Sequence, residues 1–470
     1  MACQRTPASP NPASCKPEVA EPTGKNRTNT APAVGGLFFP QSKSLGIDRS
    51  QYSTAIQAKI VYAGTSHTSF EQAEVALKTL AELLVGDKQV RRLCKQIGTE
   101  RCDERDQATA TYQALPLPER KDVPPGVTAP ALAAVGVDGG RLQIWERSTA
   151  ADESPPTETP RPHSTDEEES ANQGKHWRES KMGLLMTMSS SVHARDPCLE
   201  IPDSFVNPLR ILKLVRELKK PVPTPKEAAD DPVADEPATP ESPTEWEPPE
   251  VQAKRHVATR QPWETFGPQV AMAAWKWGFF GAERKVFLGD GAEVNWTMWR
   301  GYFSSFTPIL DFIHALSYVF AAATAGRPFQ EGWACYERWI AAVWQGHLDE
   351  VLAELEVRQS EVGKPLANEP KTGPSYLVQR ALDYLGNNRE RMKYAEYRQQ
   401  GLPIMSSYVE SAVKQFNYRV KGTEKFWNEE GAEEILQLRA DLLSDDEPLE
   451  AFWKRREAGQ SGQRPYRKAA

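Results

Sequence analysis

Apolar positions along this chain follow two periods, and the switches between them outline its elements. From Ser69 onward, Ala73, Leu77, Leu80 and Leu84 recur at three- to four-residue spacing, which predicts a helix that Gly86 stops. Asp87 can cap a second helix that turns Val90, Leu93, Cys94 and Ile97 inward and leaves Arg91, Arg92 and Lys95 on its other face. A strand run covers 131–138, and Gly139-Gly140 predicts a tight turn into the alternating stretch Arg141–Trp145, a second strand. Met182–Met188 reads as a third strand, and Phe205–Lys220 as a helix. A helix at about 264–280, a strand at 286–289, a helix at 292–304 and a short fifth strand at Ile309–Ile313 complete the series.

Three strands able to pair by hairpins, then two reached through helical crossovers, predict an α/β fold: a mixed sheet covered by helices in the ribonuclease-H-like arrangement. That core is expected over 131–314. The preceding region, 36–114, is expected to be a small helical domain. Two short helices about a Gly turn, with bases on the second, outline a helix-turn-helix that binds DNA; a plain helical hairpin with solvated charges fits the same pattern. Trp333, Tyr336, Ile340 and Trp344 space as a buried stripe, so 315–405 reads as an all-α insertion. Residues 406–445 hold the final core helix and its flank, and 446–470 form a basic tail.

Composition alters this picture in two places. Of 470 residues, 39% are apolar and 26% charged, which allows two to four domains joined by polar linkers. Residues 1–35, rich in Pro, Ala, Thr and Asn, are expected to be disordered, as are two acidic inserts at 148–173 and 221–250. The formal charge of −7 argues against a polyanionic partner until it is mapped. Residues 151–170 hold seven acids and one base, and 227–250 hold nine acids and no base, so the remainder carries +8. The expected folded part is thus basic, which suits nucleic acid. No apolar run of roughly eighteen residues predicts a membrane span. The N-terminus lacks a basic-then-apolar export signal. The six cysteines (3, 15, 94, 102, 198 and 335) form no CxxC pair and read as free thiols of a reducing cytosol.

Three carboxylates carry the candidate chemistry. Asp138 ends the first strand run among Gly136, Gly139 and Gly140, small neighbours that let a metal and a phosphate approach; Asp-Gly-Gly is equally a hairpin turn. Asp290, in Gly-Asp-Gly at a strand-to-helix corner, is either a ligand or an N-cap. Glu410 stands in the first turn of an amphipathic helix, where Ser407-x-x-Glu410 also spells a capping box. Beside the apolar stripe Val409, Val413, Phe416 and Val420 runs Glu410, Lys414, Asn417 and Lys421. That second stripe suits a metal at the helix start and a phosphate backbone along it, or a solvated face with an i,i+4 pair. Arg419 and Lys425 add bases to the expected DNA contacts, and Trp427 either stacks on an unpaired base or fills the core. Asp311 and His314, three apart, can hydrogen-bond each other or reach the same site. Two acids at strand ends and one on a later helix can gather around a pair of hard cations, Mg²⁺ or Mn²⁺. There is no HExxH, GxSxG or Walker phosphate loop.

Four blocks in order carry a resemblance: Val135–Arg141, Phe287–Ala292 with Trp296, Asp311–His314, and Gly401–Glu410 continuing through Lys421–Trp427. Together they resemble the DDE transposases of the ISKra group of bacterial insertion sequences, relatives of the Mutator-like superfamily. The likeness runs in patches from about residue 37 to 465. Where relatives often have a Gly-containing turn before the last acid, this chain has Met405-Ser406-Ser407. The resemblance implies Asp138, Asp290 and Glu410 as the metal-binding triad, with Asp311 and His314 as an accessory pair. It implies two-metal hydrolysis and transesterification at element ends, with terminal inverted repeats and target DNA as partners. A homodimer or larger synaptic complex, working at the nucleoid in a bacterial cytoplasm, is expected. A non-catalytic DNA-binding remnant and a structure-specific nuclease of the same fold are the alternatives.

Overall fold

The computed structural model describes residues 52–145, 176–218, 247–366, 368–422 and 425–459. The expected disordered N-terminus, the insert at 148–173, nearly all of the insert at 221–250 and the end of the basic tail lie outside the described residues. The chain divides into a main unit, 58–451, and a small unit whose described residues are 52–57 and 452–459. In the small unit Gln57 donates to the Tyr52 carbonyl at 2.8 Å, and the rings of Phe452 and Trp453 meet edge to face at 4.9 Å.

Helices α1 (Thr54–Ser66), α2 (Phe70–Ala81), α3 (Asp87–Ala114) and the single turn α4 (Leu117–Arg120) come first. Ser69 caps α2 by accepting from the Gln72 N–H. The expected stripe buries Ala73 and Leu77. Leu80, in the last turn of α2, and Leu84, beyond the helix that ends at Ala81, are instead 82% and 84% exposed. Helix α3 turns Val90, Leu93, Cys94 and Ile97 inward as expected, but it runs on for 28 residues.

The sheet follows: β1 (Leu132–Ile144), β2 (Trp177–Ser189), helix α5 (Pro208–Glu217), β3 (Glu250–Thr259), α6 (Trp263–Lys276), β4 (Arg284–Gly289), α7 (Glu293–Tyr302) and β5 (Thr307–Leu310). Then come α8 (Phe312–Thr324), α9 (Phe329–Gln345), α10 (Leu348–Val362), α11 (Pro374–Asn387), α12 (Tyr394–Gln399), α13 (Ser407–Val420), the short β6 (Phe426–Trp427), α14 (Glu429–Leu443) and α15 (Pro448–Ala458). The fold is mixed α/β, as expected, and α8 to α12 supply the α-helical structure described between Phe312 and Gln399. The strand order is β3-β2-β1-β4-β5, with β6 against the end of β1. β1, β2 and β3 are antiparallel, while β1, β4 and β5 are parallel.

Three strand assignments differ from the sequence reading. The Gly139-Gly140 hairpin does not form: β1 runs straight through, pairing Gly139 with Lys181 and Gly140 with Ser180. These glycines serve close approach instead. A Cβ on Gly140 would lie 2.7 Å from Met182 Cε, and one on Gly136 only 2.4 Å from Val409 Cγ2. The expected strand Met182–Met188 forms as β2, and an unexpected strand, β3, follows α5. Its outer half is polar and incompletely buried, so no apolar run marked it. The fifth strand stops at Leu310, because Asp311 turns the chain and accepts from the Ile313 N–H to cap α8.

Helix α6 covers one face of the sheet, where Gly183 admits Val270 and Phe266. Helices α13 and α14 cover the other, over Leu142, Ile144, Met182 and Ala258. Helix α3 packs along α14. There Arg101 meets Asp441 and Arg105 meets Glu433, each at 2.8 Å, and a Cβ on Gly98 would come 2.6 Å from that of Glu434. The second helix of the expected helix-turn-helix is thus anchored to the core along its length, with Arg91, Arg92 and Lys95 left exposed.

Candidate metal-binding site

The site is assembled by strand register and helix seating. β1 and β4 run parallel and pair up to Gly136 with Leu288. Asp138 and Asp290 lie two residues past that last pair, on strands that neighbour one another at ~4.8 Å. Side chains of like parity share a face, so Asp138 points to the same side as Gly136, the side α13 covers. Val409 of α13 sits on the bare backbone of Gly136, and that contact delivers the next residue, Glu410, toward Asp138.

Asp311 organises the remainder. It is fully buried; one oxygen accepts from the Ser406 N–H at 2.9 Å, and the other meets His314 Nδ1 at 2.7 Å. A single carboxylate therefore orients the imidazole and anchors the chain entering α13. Asp311, His314 and Glu410 offer ligand atoms that all lie within 4.8 Å of one another. The capping box is not made: Ser406 occupies the N-cap without a side-chain bond, and Glu410 Oε1 is buried with no hydrogen-bond partner. Asp290 is not the N-cap of α7, which is Ala292, but it is partly used at that helix start. Its Oδ1 accepts from the Ala292 N–H at 2.9 Å and from Asn295 Nδ2 at 2.7 Å.

The electrostatics mark a frustrated site. Burial pushes the Asp138 carboxyl up to about 6, the charge of Asp290 pushes the same way, and the Gly139 N–H and His314 only partly oppose them. Burial and the charge of Asp311 raise Glu410 against the pull of His314 and Lys414. Burial also works against the charge of Asp311, but His314 and the Ser406 N–H hold its carboxyl below the usual range. A half-buried pair of like charges, an orphaned carboxylate oxygen and a mostly oxygen donor set fit a hard divalent cation. Such an ion would relieve the repulsion that the Gly139 N–H and His314 offset only in part.

A cleft of about 500 Å³ opens here, with Asp138, His314 and Glu410 among its lining. Asp290 is close enough to raise the Asp138 carboxyl but is not part of that lining, so two of the three expected ligands line the cleft and the third does not. Of the expected DNA contacts, Lys414 and Asn417 line the same cleft. Lys421 is exposed and lies over the Trp177 ring at 5.6 Å. Lys425 points at the carbonyls of Tyr418 and Arg419 at the end of α13. Trp427 donates to the Val420 carbonyl and lines a second cleft of about 810 Å³ with Trp145, Phe426, Arg91 and Lys95. Arg419 is a correction. It is 1% exposed, donates to the Gly64 carbonyl at 2.9 Å and lies against the rings of Phe70 and Trp427, so it is a core residue and not a surface contact.

Sequence reasoning missed three contributors. Tyr384 of α11 donates to the Asp290 carbonyl at 2.6 Å, and Gly291, with φ of 91°, leaves room for its ring. Arg210 and Lys213 of α5 form part of the cleft wall. Nothing in a local pattern signals either contact, since both join segments far apart in the chain. No protein-family profile matches the chain, and no curated protein matches it.

Proposed function

We propose that this chain is a metal-dependent enzyme that cleaves and joins DNA phosphodiesters, a transposase of the DDE kind on a ribonuclease-H-like sheet. The observation that carries the reading is that Asp138 of β1 and Glu410 of α13 line one cleft, with Asp290, just past β4, close enough to raise the Asp138 carboxyl and one Glu410 oxygen left unpartnered. The sheet order, antiparallel on one side of β1 and parallel on the other, supports the fold. Asp138, Asp290 and Glu410 would hold Mg²⁺ or Mn²⁺, and a bound pair supplies an activated oxygen nucleophile and stabilises the leaving oxygen. Asp311 is a positioning residue, its oxygens committed to His314, Ile313 and Ser406. His314 lines the cleft with its Nδ1 held by Asp311. Lys414 and Lys421 along α13 suit a phosphate backbone leaving the cleft.

Joining two element ends requires two copies or more, so a dimer or larger complex on terminal inverted repeats and target DNA, at the bacterial nucleoid, follows from the reading. Among the described residues no helix is long and apolar enough to cross a membrane. The test is incubation of the full chain with a 3′-hydroxyl donor oligonucleotide, plasmid DNA and Mg²⁺ or Mn²⁺. Joined products support a transposase. Nicks alone favour a nuclease of the same fold, and unaltered DNA removes the enzymatic reading.

A further inference from the structure

The second cleft, of about 810 Å³, opens where β1 ends, and much of its wall is aromatic. Trp145, just past β1, is 57% exposed, and Phe426 of β6 is 40% exposed. Their rings meet edge to face at 5.6 Å. His176 stacks on the Trp145 ring at 6.0 Å, with 4° between the planes. Trp145 belongs to the cleft lining and His176 does not, so the imidazole backs the indole from outside the cleft. Rings held in place beforehand lose little freedom when a ligand stacks on them. Trp427, which the sequence offered for stacking, is tied down instead. Its indole N–H donates to the Val420 carbonyl at 3.0 Å, and its ring lies against Phe70 and Arg419.

Charges around these rings are partly matched. Lys95 pairs with Glu430 at 2.8 Å, and Glu429 pairs with Arg260 at 3.2 Å. The other two charged residues of the lining, Arg91 and Glu434, are left differently. Arg91 of α3 is exposed and makes no hydrogen bond or ion pair among the described residues. Glu434 of α14 is 6% exposed; one oxygen accepts from Thr99 at 2.7 Å and the other is buried without a partner. A flat π system for the exposed rings, an N–H donor for the Glu434 oxygen and a negative charge for Arg91 together describe one nucleotide. The cleft volume falls within the roughly 300–1,000 Å³ of sites that take a group of that size. A base inside a duplex has both faces covered by its neighbours and cannot stack on a side chain. We infer that this cleft holds an unpaired nucleotide of a nucleic-acid strand, with its base stacked on Trp145 and Phe426 and its phosphate on Arg91. The inference rests on the nucleic-acid reading above for the source of that nucleotide, a strand in place of a free monophosphate. Trp145 lies roughly 23 Å along an extended strand from Asp138, so the two clefts can be tested apart.

The test is fluorescence anisotropy of the full chain with a labelled oligodeoxycytidylate of about 12 nucleotides, within the span of one single-strand site. EDTA is present so that no metal bridges the strand to the carboxylates. Trp145→Ala and Phe426→Ala should each weaken binding about tenfold, the loss of one stacked base. Trp145→Phe should keep most of the affinity, which separates lost stacking from a disturbed fold. Arg91→Gln should weaken binding and make the slope of log affinity against log salt shallower by about 0.7, one single-strand phosphate contact. Arg92→Gln, exposed on the same helix but outside the lining, should change neither. Deoxycytidine monophosphate at the same nucleotide concentration should not displace the strand; displacement would assign the cleft to a free nucleotide and overturn the inference. If both Ala variants bind like the wild type, while the wild type still nicks plasmid with Mg²⁺ or Mn²⁺, this inference fails and the enzymatic reading stands. Equal losses in the Arg92 variant also overturn it, because they indicate diffuse attraction. Binding that depends on Trp145 in a chain that cuts no DNA leaves this inference standing and removes the enzymatic reading. A wild-type chain that neither binds nor cuts removes both.

Discussion

Along the α3–α14 interface buried charges meet their opposites, Arg101 with Asp441 and Arg105 with Glu433, whereas in the cleft beneath α13 like charges meet. Both regions bury acids contributed by segments distant in sequence. At the interface Asp441 and Glu433 each have a guanidinium within hydrogen-bond reach, and Asp441 also accepts from Gln437 at 3.0 Å; Glu434, bonded to Thr99 through one oxygen and unpartnered at the other, is the exception. In the cleft Asp138 is opposed by Asp290, Glu410 keeps an unpartnered oxygen, and Lys414 is engaged by Glu217. Satisfied burial is what a structural contact needs. Unsatisfied like charge costs stability, and a fold keeps it where a ligand is to complete it.

The contrast is breakable by single substitutions of opposite expected sign. The largest effect belongs to the interface. Asp441→Asn leaves the buried Arg101 with only the more exposed Glu104 as counter-charge and should destabilise the chain by about 3 kcal/mol, read from urea unfolding. No loss there would mean that the pair is not structural. On the same side of the sheet, burial lowers His256 to about 4 from its usual 6.5. The unfolded chain then binds a proton in a window where the folded chain does not, so stability should fall as pH drops from 6.5 toward 4, by about 3 kcal/mol at the end. His256→Gln should flatten that part of the pH–stability curve.

The cleft should behave in the reverse sense. The Asp138 carboxyl is raised from 3.8 to about 6, so its ionisation penalises the folded state above pH 6 and vanishes as a penalty below 3.8. Asp138→Asn should therefore raise stability by up to about 3 kcal/mol above pH 6, with no gain at low pH, while abolishing strand cleavage. A destabilised Asn variant at neutral pH would contradict the frustrated-site description. Divalent cation should stabilise the wild type as binding to the folded state requires, by about 2.7 kcal/mol at a hundredfold excess over Kd, and should do much less for Asp138→Asn. A Tm indifferent to Mg²⁺ and Mn²⁺ argues against a metal centre. The smallest effect is steric. Gly136→Ala would drive a methyl into Val409 and should cost about 1–3 kcal/mol. Because that contact seats Glu410, the variant should also lose part of its metal-induced stabilisation.

Much of the helical content was legible locally. The inward faces of α3 and α13 and the helical run that became α8 to α12 follow from period alone, whereas the expected Asp87 cap is not made, because Gly86 takes the N-cap and Asp87 is the first residue of α3. The Asp311–His314 spacing likewise announced a hydrogen bond that forms. Gly139-Gly140 misled because two glycines have the backbone freedom of a turn, while pairing of β1 with Lys181 and Ser180 across the sheet favours the extended form. β3 was missed because an incompletely buried strand with Lys254, Arg255 and His256 carries no apolar run. Arg419 looked like a surface base because its helix face is mixed, and only the rings of Phe70 and Trp427 reveal it as core.

By itself the chain determined which residues could bear chemistry and which segments become helices, because capping and apolar period act over a few neighbouring residues. Which acids share a cleft, which are neutralised by arginines and which cations face them from α5 was decided by tertiary structure alone. Those outcomes depend on parallel register between β1 and β4 and on the seating of α13 over Gly136, and electrostatic energy follows distance in space, whatever the separation along the chain.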